Sequence, residues 1–345
     1  MDLAASGGTN AGLAAGNSKR DQDQHPAGGH AGRVTVITCY LHGIYPHSES
    51  LVAVTRDAAR GRRSASEVRE QRQADRLALA AVQREAGLDY VSSGLLTWQD
   101  LFRPLVAACP DWTTGPLRRW FDNNTFVRIP VVRGALALDR GLFDADAGEV
   151  GTLPGPYTFS RIADTELDPD KLIGALAAGV LRPAAEEMIC RGARLIQLQE
   201  PWLAAHGIAA ESWGLLADAV AIVRDGLDVP VVVHTYFGDA GPWLDRLREL
   251  PADAIGVDLV ETDVAALAGQ WTTGLLIGCL DGRSSAVENA STIAALARRV
   301  IELAGPPALM LSSNCDLELL PRVLADRKTR VLGEAAGLLR TEPAC

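Results

Sequence analysis

Short apolar runs recur along the chain, and between them the apolar positions fall to helical spacing. "VTVITC" (34–39) is followed by a long charged stretch of helical period that ends at Gly87. "LDYVSS" (88–93) comes next, then a loop-rich stretch through "RRWFDNNTFVRIPVV". "VGTLPGP" (150–156) leads into a helix expected over roughly 168–191. "RLIQLQ" (194–199), "VPVVVHTYF" (229–237), "AIGVDLV" (254–260), "LLIGCL" (275–280) and "ALMLSS" (308–313) complete eight runs. Short β-branched or apolar runs alternating with helix-period segments predict parallel strands joined by crossover helices. Eight such units predict an α/β fold of the (β/α)8 TIM-barrel type, with "RIPVVRGALALD" left outside the count. A doubly wound sheet would carry a GxGxxG turn after its first strand, and this chain has none there.

Composition narrows the picture. The chain has 345 residues, 48% of them hydrophobic, enough for one large α/β domain, expected over 33–345. Residues 1–32 are rich in Gly, Ala and Asn and lack the apolar core of a signal peptide, so they read as a disordered leader. A net charge of −10 argues against a nucleic-acid partner, which clustered Lys and Arg would mark. The one arginine-rich piece, "TRDAARGRRSASEVREQRQADR" (55–76), alternates its charges and reads as a solvated helix pair rather than an anion patch. No apolar run is long enough to span a bilayer, which argues against a membrane partner. Six scattered cysteines without CxxC spacing read as reduced thiols, and a cytoplasmic location is expected.

In a barrel the C-terminal ends of the strands open onto the site, so polar residues ending apolar runs are candidates to share one mouth. These are Ser92, Ser93, Gln197, Gln199, Glu200, His234, Tyr236, Asp258, Asp281, Arg283, Asn314 and Cys315. Any one of them alone reads as a cap of the following helix; so many favour a polar pocket. His42 and His47 in "YLHGIYPHSES" follow the first run, where a histidine is either a base near neutral pH or an exposed loop residue. Glu200 is the carboxylate whose pKa a dry strand end would raise toward acid–base work. Asp281 and Arg283 either clamp a substrate carboxylate or form a loop ion pair.

Several longer motifs carry a resemblance. "EAGLDYVSSGLLTWQDLF" (85–102), "RRWFDNNTFVRIP" (118–130), "GPYTFS" (155–160), "GARLIQLQEPWLA" (192–204), "VVVHTYFGD" (231–239), "LPADAIGVDLV" (250–260), "LIGCLDGRSSAVEN" (276–289) and "LSSNCDLELLP" (311–321) occur in the order found in cobalamin-independent methionine synthase. The resemblance spans roughly 34–340. Full-length members carry two related barrels, with a thiol-activating zinc in the C-terminal one only. "GLLTWQD", "WFDNNTF", "HTYFGD" and "CLDGRS" look more like the zinc-free barrel.

The resemblance implies methyl transfer from 5-methyltetrahydrofolate, or a related donor, to a small amino-acid-like acceptor. Glu200, His234, Tyr236 and Asp258 would be the catalytic group. His42, His47, Ser93, Trp98, Asn124, Gln197, Gln199, Asp281, Arg283 and Cys315 would bind substrate. The family's metal barrel has a His-x-Cys pair, a Glu and a distant Cys. Here His234 on the metal histidine puts Tyr236 at the cysteine, and the shifted register puts Tyr236 and Gly238 there instead. Zinc is therefore not favoured; if a metal bound, His234, Asp258 and Cys315 would be its ligands. The family's pterin-stacking tryptophan is replaced near Ile162, its Asp-Glu-Pro becomes Gln199-Glu200-Pro201, and its Gly-Glu carboxylate becomes Leu95. Trp98 or Trp202 either supplies another stacking face or packs in the core. Two other readings stay open: a non-catalytic barrel that partners a second barrel protein or another copy of itself, and a lyase or hydrolase reusing the pocket.

Overall fold

The structure, a computed structural model, describes residues 35–146 and 148–341. The leader expected over 1–32 and Cys345 lie outside the described residues. The first half holds β1 (Val36–Cys39), α1 (Glu49–Ala59), α2 (Ala65–Glu85), α3 (Arg103–Ala107), β2 (Thr113–Arg119), β3 (Phe126–Val132), β4 (Val150–Pro154) and α4 (Pro156–Ile162). Then come β5 (Asp164–Thr165), α5 (Pro169–Leu176), α6 (Arg182–Cys190), β6 (Leu195–Gln199), α7 (Pro201–His206), α8 (Ser212–Arg224) and β7 (Val231–His234). The remainder is α9 (Leu244–Leu247), β8 (Ala254–Asp258), β9 (Gly274–Leu280), α10 (Ala290–Ala304), β10 (Ala308–Ser313) and α11 (Arg322–Thr341).

Seven strands form one parallel sheet in the order β1-β10-β9-β8-β7-β6-β4. Most of its residues are buried on both faces, which is why these strands read as continuous apolar runs. The sheet curls. Three strands separate β1 from β7, yet the rings of His42, just after β1, and His234, at the end of β7, lie 4.7 Å apart. Tyr40, just past β1, packs with one side chain from each of the other six strands, Val150, Leu195, Val232, Ala254, Leu276 and Met310, into a separate cluster on the inner face. Because strand side chains alternate, the next inward layer is Thr152, Gln197, His234, Gly256, Gly278 and Ser312. That layer is polar or small, and it underlies the strand ends.

The eighth expected strand does not form. Residues 88–93 touch both sheet edges through isolated bridges, Tyr40 with Tyr90 and Ser92 with Gly148. The cause is local: the Gln83 amide of α2 takes both the N–H and the C=O of Ser92, each at 2.8 Å, so those groups cannot enter a ladder. Gly94 and Leu95, at φ +69° and +49°, then turn the chain away. The fold is thus a curled seven-stranded parallel α/β sheet. "RIPVV" belongs to a separate small sheet, where β3 pairs antiparallel with β2 and parallel with β5.

The charged stretch after β1 forms two helices. Ser48 caps α1, and Ser64 with Glu67 makes a reciprocal capping box on α2. Only Asp75, Leu79, Val82 and Gln83 of α2 are buried, a helical stripe that leaves the arginine-rich face in water. The helix expected over 168–191 is α5 and α6 joined by a π turn at Ala177–Leu181.

Candidate functional site

The inner polar layer and the strand ends build one buried network. Tyr236 Oη donates to Gln199 Oε1 at 2.7 Å, and Gln199 Nε2 lies 2.8 Å from His42 Nε2. His42 Nδ1 is 2.8 Å from His234 Nδ1, and Gln197 Nε2 approaches both ring nitrogens, at 2.8 and 3.1 Å. All five side chains are buried. Burial, aided by the neighbouring His234, pushes His42 well below the ordinary histidine range, and burial takes His234 down to about 3. Both rings are therefore neutral at pH 7. Gly256 makes room for this arrangement, since a Cβ there would stand 2.6 Å from His234 Cδ2.

The network reaches its one partly exposed member at Asp316, whose Oδ1 lies 3.8 Å from His42 Nε2. Asp316 Oδ1 accepts the Ile44 N–H at 2.7 Å. Burial raises the Asp316 carboxyl, and burial together with the nearby charges of Asp316 and Asp100 raises Glu318. Reading the sequence alone missed both residues. The signal was present in "NCDLELL", where Asp316 and Glu318 alternate with leucines just past a strand, immediately after Cys315.

Glu200 stands apart from that network. Its carboxylate accepts the N–H groups of Tyr157 and Thr158 at 2.8 and 2.7 Å and the Thr158 hydroxyl at 2.6 Å, anchoring the start of α4. Burial outweighs these donors and raises its pKa to about 7. Asp258 forms another cluster, accepting from Asn314 Nδ2 and from the Val260 and Phe237 N–H groups, and burial raises its carboxyl. Arg283 pairs with Glu261 and Asp281 and lies 5.7 Å over the Phe237 ring.

Phe237 is one wall of an aromatic pocket of about 360 Å³, built with Trp120, Phe121, Ile162, Trp202 and His206 and edged by Arg118 and Arg119. Phe121 stacks on His206 at 5.5 Å and meets Phe237 at 5.4 Å. Both phenylalanines have positive φ, +51° and +63°, a backbone state that costs non-glycine residues about 1–3 kcal/mol and clusters at ligand sites. Phe237 meets the Tyr236 ring edge-on at 4.6 Å, so the pocket wall is joined to the buried network. Sequence reasoning named Trp202 but not Trp120, Phe121, His206 or Phe237, because the pocket needs the β2–β3 hairpin turn folded beside α7.

The other expected site residues lie elsewhere. His47 bonds the Leu96 carbonyl at 3.1 Å, burial lowers its pKa, and it lines a cavity of about 1100 Å³ that Trp98 and Glu318 also line. Trp98 is buried, its indole donating to the Asp144 carbonyl. Ser93 donates to the Asp146 carbonyl, and Asn124 is exposed on the hairpin turn while Asn123 is buried.

A zinc site of the kind the resemblance brings to mind does not fit these residues. His234 Nδ1 is engaged with His42, and Tyr236 stands two residues on, where a thiolate would be needed. Burial, reinforced by nearby acidic groups, holds the Cys315 thiol well above its ordinary range, whereas a zinc ligand must be a thiolate. Among the described residues no group of three His, Cys, Asp or Glu is disposed to hold a metal ion. No helix of the described residues is long and apolar enough to cross a membrane.

A curled parallel sheet with polar side chains gathered at its strand ends is the plan of the barrel-type α/β proteins. Within that class the chain belongs to the cobalamin-independent methionine synthase family. It is 30% identical over 215 residues to a methionine synthase of Methanothermobacter thermautotrophicus, a match covering 60% of this chain and 68% of that protein. The family model for the N-terminal domain of cobalamin-independent synthase matches residues 145–304. A 5-methyltetrahydropteroyltriglutamate–homocysteine methyltransferase of Herpetosiphon aurantiacus is 27% identical over 241 residues, 64% of this chain but 31% of that longer protein. The fold is shared with a B12-independent methionine synthase from Shewanella in complex with selenomethionine, at TM-score 0.68 and 17% identity, covering 89% of this chain and 98% of that one.

Proposed function

We propose that this chain is a methyl-transfer enzyme of the methionine-synthase type, moving a methyl group from a folate-type donor to a small amino-acid-like acceptor without a thiol-activating zinc. The aromatic pocket is the observation that carries this reading. Its volume of about 360 Å³ falls in the range of small-ligand sites, and its walls are aromatic faces suited to a flat bicyclic ring. Trp202 and Phe121 take over the stacking role where Ile162 stands in place of the family's tryptophan. Arg118 and Arg119 at the edge suit an anionic tail on the donor. Phe237, a wall of that pocket, meets the Tyr236 ring at 4.6 Å, so the donor pocket borders the buried network there. Holding donor methyl and nucleophile in line while excluding water is the main physical demand of such a transfer. Glu200 contributes by fixing α4, which carries Ile162. Tyr236, His234 and Asp258 hold the acceptor end, and residues 88–93 act as the remaining stave of an eight-unit barrel.

The test is to incubate the protein with 5-methyltetrahydrofolate and a panel of thiol- and amine-bearing amino acids, with and without a zinc chelator, and to follow products by mass spectrometry. A methylated product formed equally well after chelation is the expected result. No product with any acceptor, or product only when zinc is supplied, rejects the reading. A second reading rests on the match to an N-terminal domain and the one-third coverage of the longer relative: a barrel that works beside a second barrel. Activity of the isolated chain in that assay would dismiss it.

A further inference from the structure

We infer that His206 is the acid of the proposed transfer, its imidazole handing a proton to the donor's ring nitrogen as the methyl group leaves. This rests on the methyl-transfer reading and adds to it the residue that meets the leaving nitrogen.

Four histidines lie among the described residues, and three are spent on the protein itself. His42 and His234 share the buried network, and His47 bonds the Leu96 carbonyl. His206 is the fourth, and neither of its ring nitrogens has a hydrogen-bond partner among the described residues. Its ring is nevertheless held from two sides. It stacks on Phe121 at 5.5 Å, with 22° between the planes, and meets Trp202 at 4.5 Å. The short helix that carries it is fastened to α4 twice. The Trp202 N–H donates to Thr158 Oγ1 at 3.2 Å, and Tyr157 Oη donates at 3.3 Å to the carbonyl of Gly207, which ends α7 at φ +79°. An imidazole fixed in place with its polar atoms unspent is preorganised for a group outside the chain. A flat donor stacked on Trp202 has its edge beside that imidazole.

The reaction needs an acid here. As the methyl group passes to the acceptor, its bond to the donor nitrogen breaks and the electron pair stays on that nitrogen. An amine anion is far too basic to leave unprotonated, so the nitrogen must take a proton as the bond breaks. The acceptor releases its own proton to solvent, from which His206 is recharged, and the count closes. Of the side chains lining the aromatic pocket, Arg118, Arg119, Asp122 and His206 can carry charge. Arginine does not give up its proton near neutral pH, and Asp122 is exposed, 3.8 Å from the Arg119 guanidinium. Histidine is the side chain suited to hold and release a proton in that range. The other charged groups round the pocket are engaged elsewhere. Arg283, beyond the Phe237 ring, pairs with Glu261 and Asp281, and Asp239, on the loop that packs on α7 through Gly238, accepts the Gly241 N–H.

The test is single-turnover methyl transfer by the full chain, from 5-methyltetrahydrofolate to whichever acceptor of the panel gives product, with donor binding followed by fluorescence. His206→Phe keeps a stacked ring and removes the proton. Its donor affinity should stay within about threefold of wild type, while transfer falls at least about a hundredfold, the usual worth of a positioned acid. The wild-type rate should fall as pH rises through the neutral range, and the residual rate of His206→Phe should lack that limb. Transfer within about threefold of wild type in a donor-binding His206→Phe overturns the inference and leaves the methyl-transfer reading standing. So does a wild-type rate that is flat between about pH 6 and 9, an arm that needs no variant. Lost donor binding in both His206→Phe and a folded His206→Gln makes the residue a binding group and overturns its role as acid. No product from the wild type with any acceptor removes the methyl-transfer reading, and this inference with it.

Discussion

Glu200→Gln tests how the core treats its one carboxylate at the start of α4. The wild-type carboxylate is fully buried and takes three hydrogen bonds, two from backbone N–H groups and one from the Thr158 hydroxyl. Its folded pKa of about 7, against 4.5 unperturbed, means that the folded state binds the proton more tightly than the unfolded chain. Stability therefore falls as pH rises between those two values, and between pH 5 and 8 the loss is about 2–3 kcal/mol by linkage. Glutamine does not titrate and lacks this slope. It has its own cost, because its NH2 must face at least one of the three donors, worth about 1–3 kcal/mol for an unsatisfied buried N–H. At pH 5 the wild type should be the more stable protein; by pH 8 the two should converge or change order. In melting temperature the gap should close by about 5 °C, taking about 2 °C per kcal/mol for a chain of this length. Thermal and urea denaturation of both proteins at pH 5, 6, 7 and 8 reads this directly. If the two curves run parallel with pH, the three donors outweigh burial and the pKa argument for Glu200 is wrong.

Three further outcomes follow from the same geometry. Lys328 is fully buried and paired with Glu288 at 2.7 Å, so Lys328→Met should cost about 2–4 kcal/mol by urea denaturation, toward the low end for a buried pair because Glu288 keeps 22% of its side-chain surface. Gly256→Ala places a methyl 2.6 Å from His234 Cδ2 and should cost about 1–3 kcal/mol of overpacking, with the His42–His234 contact lengthened in a crystal structure. Elemental analysis should find zinc well below stoichiometric, and a chelator should leave the melting temperature unchanged; one bound zinc per chain would contradict the reading of the strand ends.

The barrel strands were legible because parallel strands buried on both faces leave continuous apolar runs: β6, β8, β9 and β10 fall within a residue or two of the runs that predict them. The segment 88–93 misled for a long-range reason, since nothing in "LDYVSS" shows that Gln83 will take both backbone groups of Ser92. The hairpin strand β2, "TTGPLRR", is mostly exposed and polar and carries no apolar period. At the site, alternation past the strand ends pointed to Gln197, Gln199, His234 and Tyr236. Their contact with His42, 192 residues from His234, depends on how far the sheet curls, which no local pattern encodes. The aromatic pocket was hidden for the same reason, with Phe121 and Phe237 both held at positive φ by surroundings far away in the chain.

The most direct measurement is a fluorescence titration of 5-methyltetrahydrofolate into chelator-treated protein, wild type and Trp202→Ala, checked by calorimetry. The account predicts saturable quenching in the wild type that survives chelation, and binding at least about tenfold weaker in the variant, the loss of one stacked aromatic face. No saturable binding, or equal binding in both proteins, would contradict the assignment of the donor to the aromatic pocket.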